Sequence, residues 1–260
     1  MIKILKYSFY DLMRSRWSYV YFAFYLVLGF VLLFLNNDVN KAVITLMNII
    51  IVLTPLIATV FGVMYYYNSK EFTELLLAQP IKRSTIFMGQ YLGISISLTL
   101  SLVLGLGIPF LMYGLFLSAA VFDFALLLAV GSLLNFIFVA LAFNIAMSNE
   151  NKIKGFGYAI LIWLFMAVIY DGIFLISLVV FNEYPLDRLA LFATMFNPID
   201  LSRILILLKL DISALLGYTG AVFKTFFGTG LGFFLSISIM VLWVLIPVGR
   251  MRLKLKKKDF

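Results

Sequence analysis

The chain of 260 residues is 64% hydrophobic and only 12% charged, with a mean hydropathy of +1.09 and a net charge of +8, against roughly 45–50% apolar residues in soluble domains. It is therefore an integral membrane protein. Having no cysteine and no histidine, it has no disulfide, no thiolate or imidazole metal site and no His-based catalysis.

Several apolar runs exceed the roughly 20 residues that cross a hydrocarbon core as a helix, and none alternates with the period of a barrel strand. The expected fold is all-α: one transmembrane domain over 1–260 with six spans. Residues 1–16 place Ile2, Leu5, Phe9 and Leu12 at helical spacing, with Lys3, Lys6, Asp11 and Arg14 mostly on the other side, the pattern of a basic amphipathic helix on an anionic membrane surface. A cleaved signal peptide is the rival, but the next apolar run is too long and lacks a small-residue cleavage site.

The first span is predicted over about 18–35, entered through the interfacial aromatics Trp17, Tyr19 and Tyr21. The second, about 43–67, contains Thr54 and Pro55, and a proline there frees a carbonyl that needs another donor. A polar stretch over 69–90 follows, read as a short helix, a turn and a second helix start. The third span is predicted over about 86–117, the fourth over about 122–147, the fifth over about 155–181 and the sixth over about 230–248. Between them, 182–229 is neither a clean span nor a disordered loop. Leu186, Leu189, Phe192 and Phe196 stand at helical spacing, Asn197-Pro198 interrupts, and Asp200 can cap a new helix. A segment this apolar is expected to roof the bundle on the outer membrane face or to serve as a docking platform for a partner.

With the N-terminus inside, 15 Lys and Arg fall on the cytoplasmic side, six of them in the tail over 250–260, and 5 fall outside. That asymmetry predicts both termini in the cytoplasm, and it accounts for the basic charge without nucleic acid. The tail reads as a topology determinant and lipid anchor.

No G-x-x-x-x-G-K-[ST] occurs, so any ATP-driven activity needs a separate subunit. Asp171, about 16 residues into the fifth span, is expected near mid-membrane, where a carboxylate costs about 2.5 kcal/mol or more unless it faces a cavity or a partner. It reads either as part of a translocation path or subunit seam, beside Tyr170, or as protonated and hydrogen-bonded to Asn135 or Asn144. Tyr170-Asp171 also spells half of an intramembrane aspartyl protease site, but no GxGD accompanies it. Gly89 with Gly93, and Gly228 with Gly232, fit a G-x-x-x-G helix contact and are candidates for a dimer seam. The eleven methionines, with no His or Cys beside them, read as packing; no metal site is expected.

The run Glu71-Phe72-Thr73-Glu74-Leu75-Leu76-Leu77-Ala78-Gln79-Pro80-Ile81-Lys82-Arg83, followed by Gly89, resembles the cytoplasmic stretch between the second and third spans of ABC-2 type permeases, the type V exporter-like fold. Phe72 stands where that family often has Gly, and Gln90 where it often has Lys. Within the family, the segment from Asn197 to Gly228 is similar to the Nos-type permeases, associated with maturation of nitrous oxide reductase in denitrification.

The resemblance implies a homodimer in the bacterial inner membrane. Two cytoplasmic ATPase subunits, which bind the ATP and Mg, would dock on Glu71, Thr73, Glu74, Leu77, Pro80, Ile81 and Arg83. A periplasmic accessory protein would sit on Asp200, Arg203, Gly217 and Tyr218. Its cargo would be a sulfur species, or its role support of copper-centre assembly, with no cofactor in this chain and no catalysis by it. The alternatives are an ABC-2 exporter of another substrate class and a non-transporting scaffold for a periplasmic maturation factor. A secondary transporter would need paired intramembrane charges or repeated halves, and neither is visible.

Overall fold

The computed structural model describes residues 2–36, 38–118, 120–181, 187–209 and 229–257. Every regular element among them is helical, and six helices are long and apolar enough to cross a membrane. These are α2 (Arg16–Asn36), α3 (Val39–Asn68), α5 (Arg83–Met112), α6 (Val121–Ser148), the composite of α7 (Lys152–Leu164) with α8 (Tyr170–Val180), and α11 (Gly230–Lys257). The remaining helices are α1 (Ile2–Arg14), α4 (Lys70–Leu77), α9 (Asp187–Met195) and α10 (Pro198–Lys209). The near side of the bundle carries α1, α4, the α6–α7 turn and the last turns of α11; the far side is opposite.

Half or more of the residues in the apolar windows of α3, α5 and α6 are buried, 50%, 56% and 56%, against 33% for α2, 28% for α11 and 11% for the fifth span. The first three therefore form the centre, and the fifth span lies on the periphery. Glycines set how closely the helices approach. A Cβ on Gly105 would stand 2.7 Å from Tyr25 Cβ of α2, and one on Gly93 would stand 2.8 Å from Ser8 Cβ and 3.0 Å from the Leu5 carbonyl oxygen of α1. The Gly89/Gly93 pair thus seats the N-terminal helix of its own chain on α5, which corrects its reading as a candidate dimer seam.

Four expectations about the elements are revised. The third span ends at Met112 rather than near Leu117, because Gly114 adopts a left-handed φ of +84° and turns the chain. Asp200 does not cap α10; Asn197 does, its side-chain oxygen accepting from the Ile199 N–H at 3.1 Å. The fifth span is interrupted by a π-helical turn, Phe165–Ile169, which no feature of the composition announces. Finally, the basic tail is helical to Lys257 as a continuation of α11, with Met251 and Leu255 buried and Lys254 donating to the Asn144 carbonyl and to Ser148 Oγ.

The segment expected to roof the bundle instead dips into it. Ile199, Leu201 and Ile204 to Leu207 of α10 are all buried, packed among α3, α6 and α11. Depth follows from two indoles. Trp163 Nε1 donates to the Val52 carbonyl at 3.1 Å, near the midpoint of α3 and one residue from the Ile51 carbonyl that Pro55 deprives of its usual donor. Trp243 Nε1 donates to the Met195 carbonyl at 3.1 Å, about 20 Å along α11 from Gly230. The turn between α9 and α10 therefore lies level with the middle of α11 and of the fifth span, and α9–α10 is a helical hairpin within the bundle.

Candidate functional site

Two places gather the polar chemistry. On the near side, α4 is an eight-residue helix held by one face. Thr73, nearly buried, donates from Oγ1 to the Ser69 carbonyl at 2.7 Å and accepts from Gln90 Nε2 at 2.8 Å. Phe72 stacks on Tyr7 of α1, ring centroids 4.4 Å apart. Each residue that departs from the ABC-2 pattern thus has a structural use: Gln90 is wholly buried and pins α4 to α5, and Phe72 pins α4 to α1.

The opposite face is open. Glu71, Glu74, Leu75, Pro80, Lys82 and Arg83 are exposed, with Leu77 and Ile81 half-buried beneath them. Lys70 and Glu74, both largely exposed, pair at 3.9 Å, an interaction worth at most a few tenths of a kcal/mol after solvent screening, so both charges remain available. A cleft of about 280 Å³ separates α4 from the α6–α7 turn and is lined by Tyr67, Lys70, Glu74, Leu77 and Glu150. Tyr67 closes its end by donating to the Asn149 carbonyl at 2.6 Å. Gly155 makes this possible, since a Cβ there would fall 2.0 Å from the Tyr67 hydroxyl.

The second place is the hairpin. Asp171 does not bond Asn135 or Asn144; Arg203 Nη1 reaches its Oδ2 at 2.9 Å and Asp200 Oδ1 at 3.5 Å. Asp171 is 32% exposed beside the hairpin, and the Arg203 guanidinium, rather than either asparagine, offsets its charge. Asp200 is only 8% exposed, so it is part of the interior rather than of a surface offered to a partner.

Asn197 joins these parts and is absent from the sequence-derived candidates, where it serves only as a helix break. Fully buried, it donates to Asp200 Oδ2 at 2.8 Å and to the Met166 carbonyl at 2.7 Å. Met166 is within the π-helical turn, whose widened register leaves carbonyls for such a donor. Tyr170 donates to the Ala193 carbonyl at 2.6 Å; with Trp243 on Met195, two side chains satisfy the end of α9 where water cannot. The available signal for Asn197 was Asn-Pro with Asp three residues on, inside an apolar stretch.

Of the remaining candidates, Asn135 is away from both places, fully buried in the centre of the bundle beside the Tyr21 hydroxyl. Asn144 donates to the Ala140 and Pro247 carbonyls. Gly217, Tyr218 and Gly228 lie outside the described residues. No group of three or more metal-ligating side chains occurs among the described residues.

No family model matches the chain. It is similar to a protein of Pseudomonas aeruginosa named "Probable ABC transporter permease protein NosY", with 26% identity over 189 residues, 68% of this chain and 67% of that one. It is also similar to a protein of Stutzerimonas stutzeri with the same name, with 28% identity over 182 residues, 65% of this chain and 60% of the other. The matched stretch thus spans less than two thirds of the second relative.

Proposed function

We propose that this chain is the membrane-spanning permease subunit of an ATP-driven ABC exporter, working as a homodimer with two ATPase subunits docked on α4 and on the turn from Pro80 to Arg83. The observation that carries this reading is α4 itself: a short helix between two central spans, open on one face and fixed on the other to α1 and α5. A force applied to its open face reaches the bundle through the Phe72–Tyr7 stack and the Thr73–Gln90 hydrogen bond. ATP and Mg belong to the ATPase, and the permease contributes the moving walls. The near side is cytoplasmic in this reading, supported by 15 Lys and Arg against 5, and the membrane is the bacterial inner membrane.

The similarity to NosY permeases supports a finer reading, in which the exporter serves copper-centre assembly of nitrous oxide reductase, by moving a sulfur species or otherwise. A periplasmic accessory protein would meet the chain through Gly217 and Tyr218, which lie outside the described residues. The test is recovery of the chain in mild detergent from its native membrane. An ABC ATPase should co-purify and hydrolyse ATP faster when bound, and Arg83→Glu should abolish that stimulation while leaving membrane insertion intact. Recovery without an ATPase, or unchanged stimulation in Arg83→Glu, would defeat the coupling proposal.

A further inference from the structure

The last turn of α3 is fastened to the first turns of α7. The Tyr67 hydroxyl donates to the Asn149 carbonyl at 2.6 Å, Lys152 Nζ donates to Asn68 Oδ1 at 3.1 Å, and the Tyr67 ring stacks on Phe156 with centroids 6.4 Å apart. Beside the ring, Val63 of α3, Ala142 of α6 and Ala159 of α7 form a small apolar cluster separate from the main core. Missing side chains bring these backbones together. A Cβ on Gly62 would stand 2.8 Å from Ala142 Cβ, and one on Gly155 would stand 2.8 Å from two ring carbons of Tyr67. Gly155 is thus a socket that only a residue without a side chain can form.

α4 grows out of the same turn of α3. The Ser69 N–H donates to the Tyr65 carbonyl, and the Ser69 carbonyl accepts from the Thr73 N–H and hydroxyl, so a displacement of α4 is passed to Tyr67 two residues before Ser69. The fifth span is the least enclosed of the six and depends on few contacts to be moved. Its other fastening to α3, Trp163 on the Val52 carbonyl, lies beyond Pro55. That proline gives no N–H to the Ile51 carbonyl, so α3 is a rung short between the two fastenings and does not pass movement of residues 56–68 rigidly to Val52.

We infer that Tyr67, seated against Gly155, is the positioning residue that makes the near end of the fifth span follow α4. The inference rests on the reading of α4 as the ATPase contact and adds a third route to the two already described. The Phe72–Tyr7 stack and the Thr73–Gln90 hydrogen bond carry force to α1 and α5; Tyr67 carries it to the span that bears Asp171. Removing Tyr67 should therefore release the fifth span alone.

Because the chain has no cysteine, spin labels attach only where cysteines are placed. The full chain is labelled before its ATPase is added, diluted with unlabelled chain and reconstituted with the ATPase in nanodiscs. One pair, Ala78→Cys with Leu100→Cys, reports α4 against α5; a second, Tyr158→Cys with Leu100→Cys, reports α7 against α5, and all three positions are exposed. Trapping with ATP and vanadate should shift both distances in the otherwise wild-type chain. Tyr67→Phe, which keeps the ring and removes the donor, should diminish the α7 shift, and Tyr67→Leu should abolish it, with the α4 shift and ATPase binding unchanged in both. Gly155→Ala should also abolish the α7 shift and lower the melting temperature, and adding Tyr67→Leu should remove that loss of melting temperature by removing the collision. An α7 shift that persists undiminished in Tyr67→Leu, or a loss of both shifts together in that variant, would overturn the assignment. An α4 shift without an α7 shift in the wild-type chain would overturn it while leaving the ATPase contact standing; no α4 shift at all would defeat the ATPase contact, and this inference with it.

Discussion

Arg203 serves two carboxylates, so its loss should cost more than the loss of either acid. Arg203→Leu leaves Asp171 and Asp200 facing one another without a cation, whereas Asp171→Asn leaves the Arg203–Asp200 pair. Breaking a fully buried pair costs about 3–5 kcal/mol. Here the Arg203 and Asp171 side chains are 26% and 32% exposed, which reduces the expected loss to about 1–3 kcal/mol. Thermal melting in detergent should therefore rank wild type above Asp171→Asn above Arg203→Leu. Asp171 stands out in the sequence as a charge inside an apolar run, but its partner does not. Arg203 is 32 residues away, and only the reversal of direction at Asn197-Pro198 brings the two together.

The elements were legible where a single periodicity ran long enough to decide them. Six apolar runs and one amphipathic N-terminus required six spans and a surface helix, and α1 to α8 follow with ends shifted by a few residues. Two features were hidden for physical reasons. A π-helical turn needs only one extra residue per turn and leaves the composition unchanged. A 12-residue apolar helix is too short to span and equally suited to a membrane surface or to a core, so α10 could be placed only by what packs around it. The α1–α5 contact lies between these cases, because its glycine spacing was visible while its partner helix was not. Gly93→Val should separate the two helices, since even a Cβ would collide with Ser8 and with the Leu5 backbone. The chain has no cysteine, so a single Ser8→Cys reports directly. Wild-type Ser8 is fully buried, and a membrane-impermeant maleimide should label the cysteine slowly in the otherwise native chain and at least about tenfold faster with Gly93→Val. Equal rates would mean that α1 is held by the Phe72–Tyr7 stack alone.

At the scale of the whole molecule, the distribution of buried surface constrains how two copies would meet in the proposed homodimer. With α3, α5 and α6 the most covered, it has α2, the α7–α8 span and α11 as its most open spans, together with the exposed stripe Leu100, Leu104, Ile108 and Leu111 of α5. The fifth span is the least covered, 11% of its apolar window being buried against 33% and 28% for the other two. It also carries the Asp171–Arg203 pair at the rim of its open face: Val168 and Leu175, three residues before and four after Asp171, are 54% and 56% exposed. A seam along α8 would withdraw that pair from lipid, strengthen it by lowering the local dielectric, and let a change in the spacing of the two copies act directly on the α9–α10 hairpin. In native membranes, Leu175→Cys should give a covalent dimer with a short bis-maleimide, while Phe34→Cys on α2 and Leu231→Cys on α11, both more exposed, should not. Cross-linking confined to either of those helices would move the seam away from Asp171, and with it the coupling between the charge cluster and the dimer.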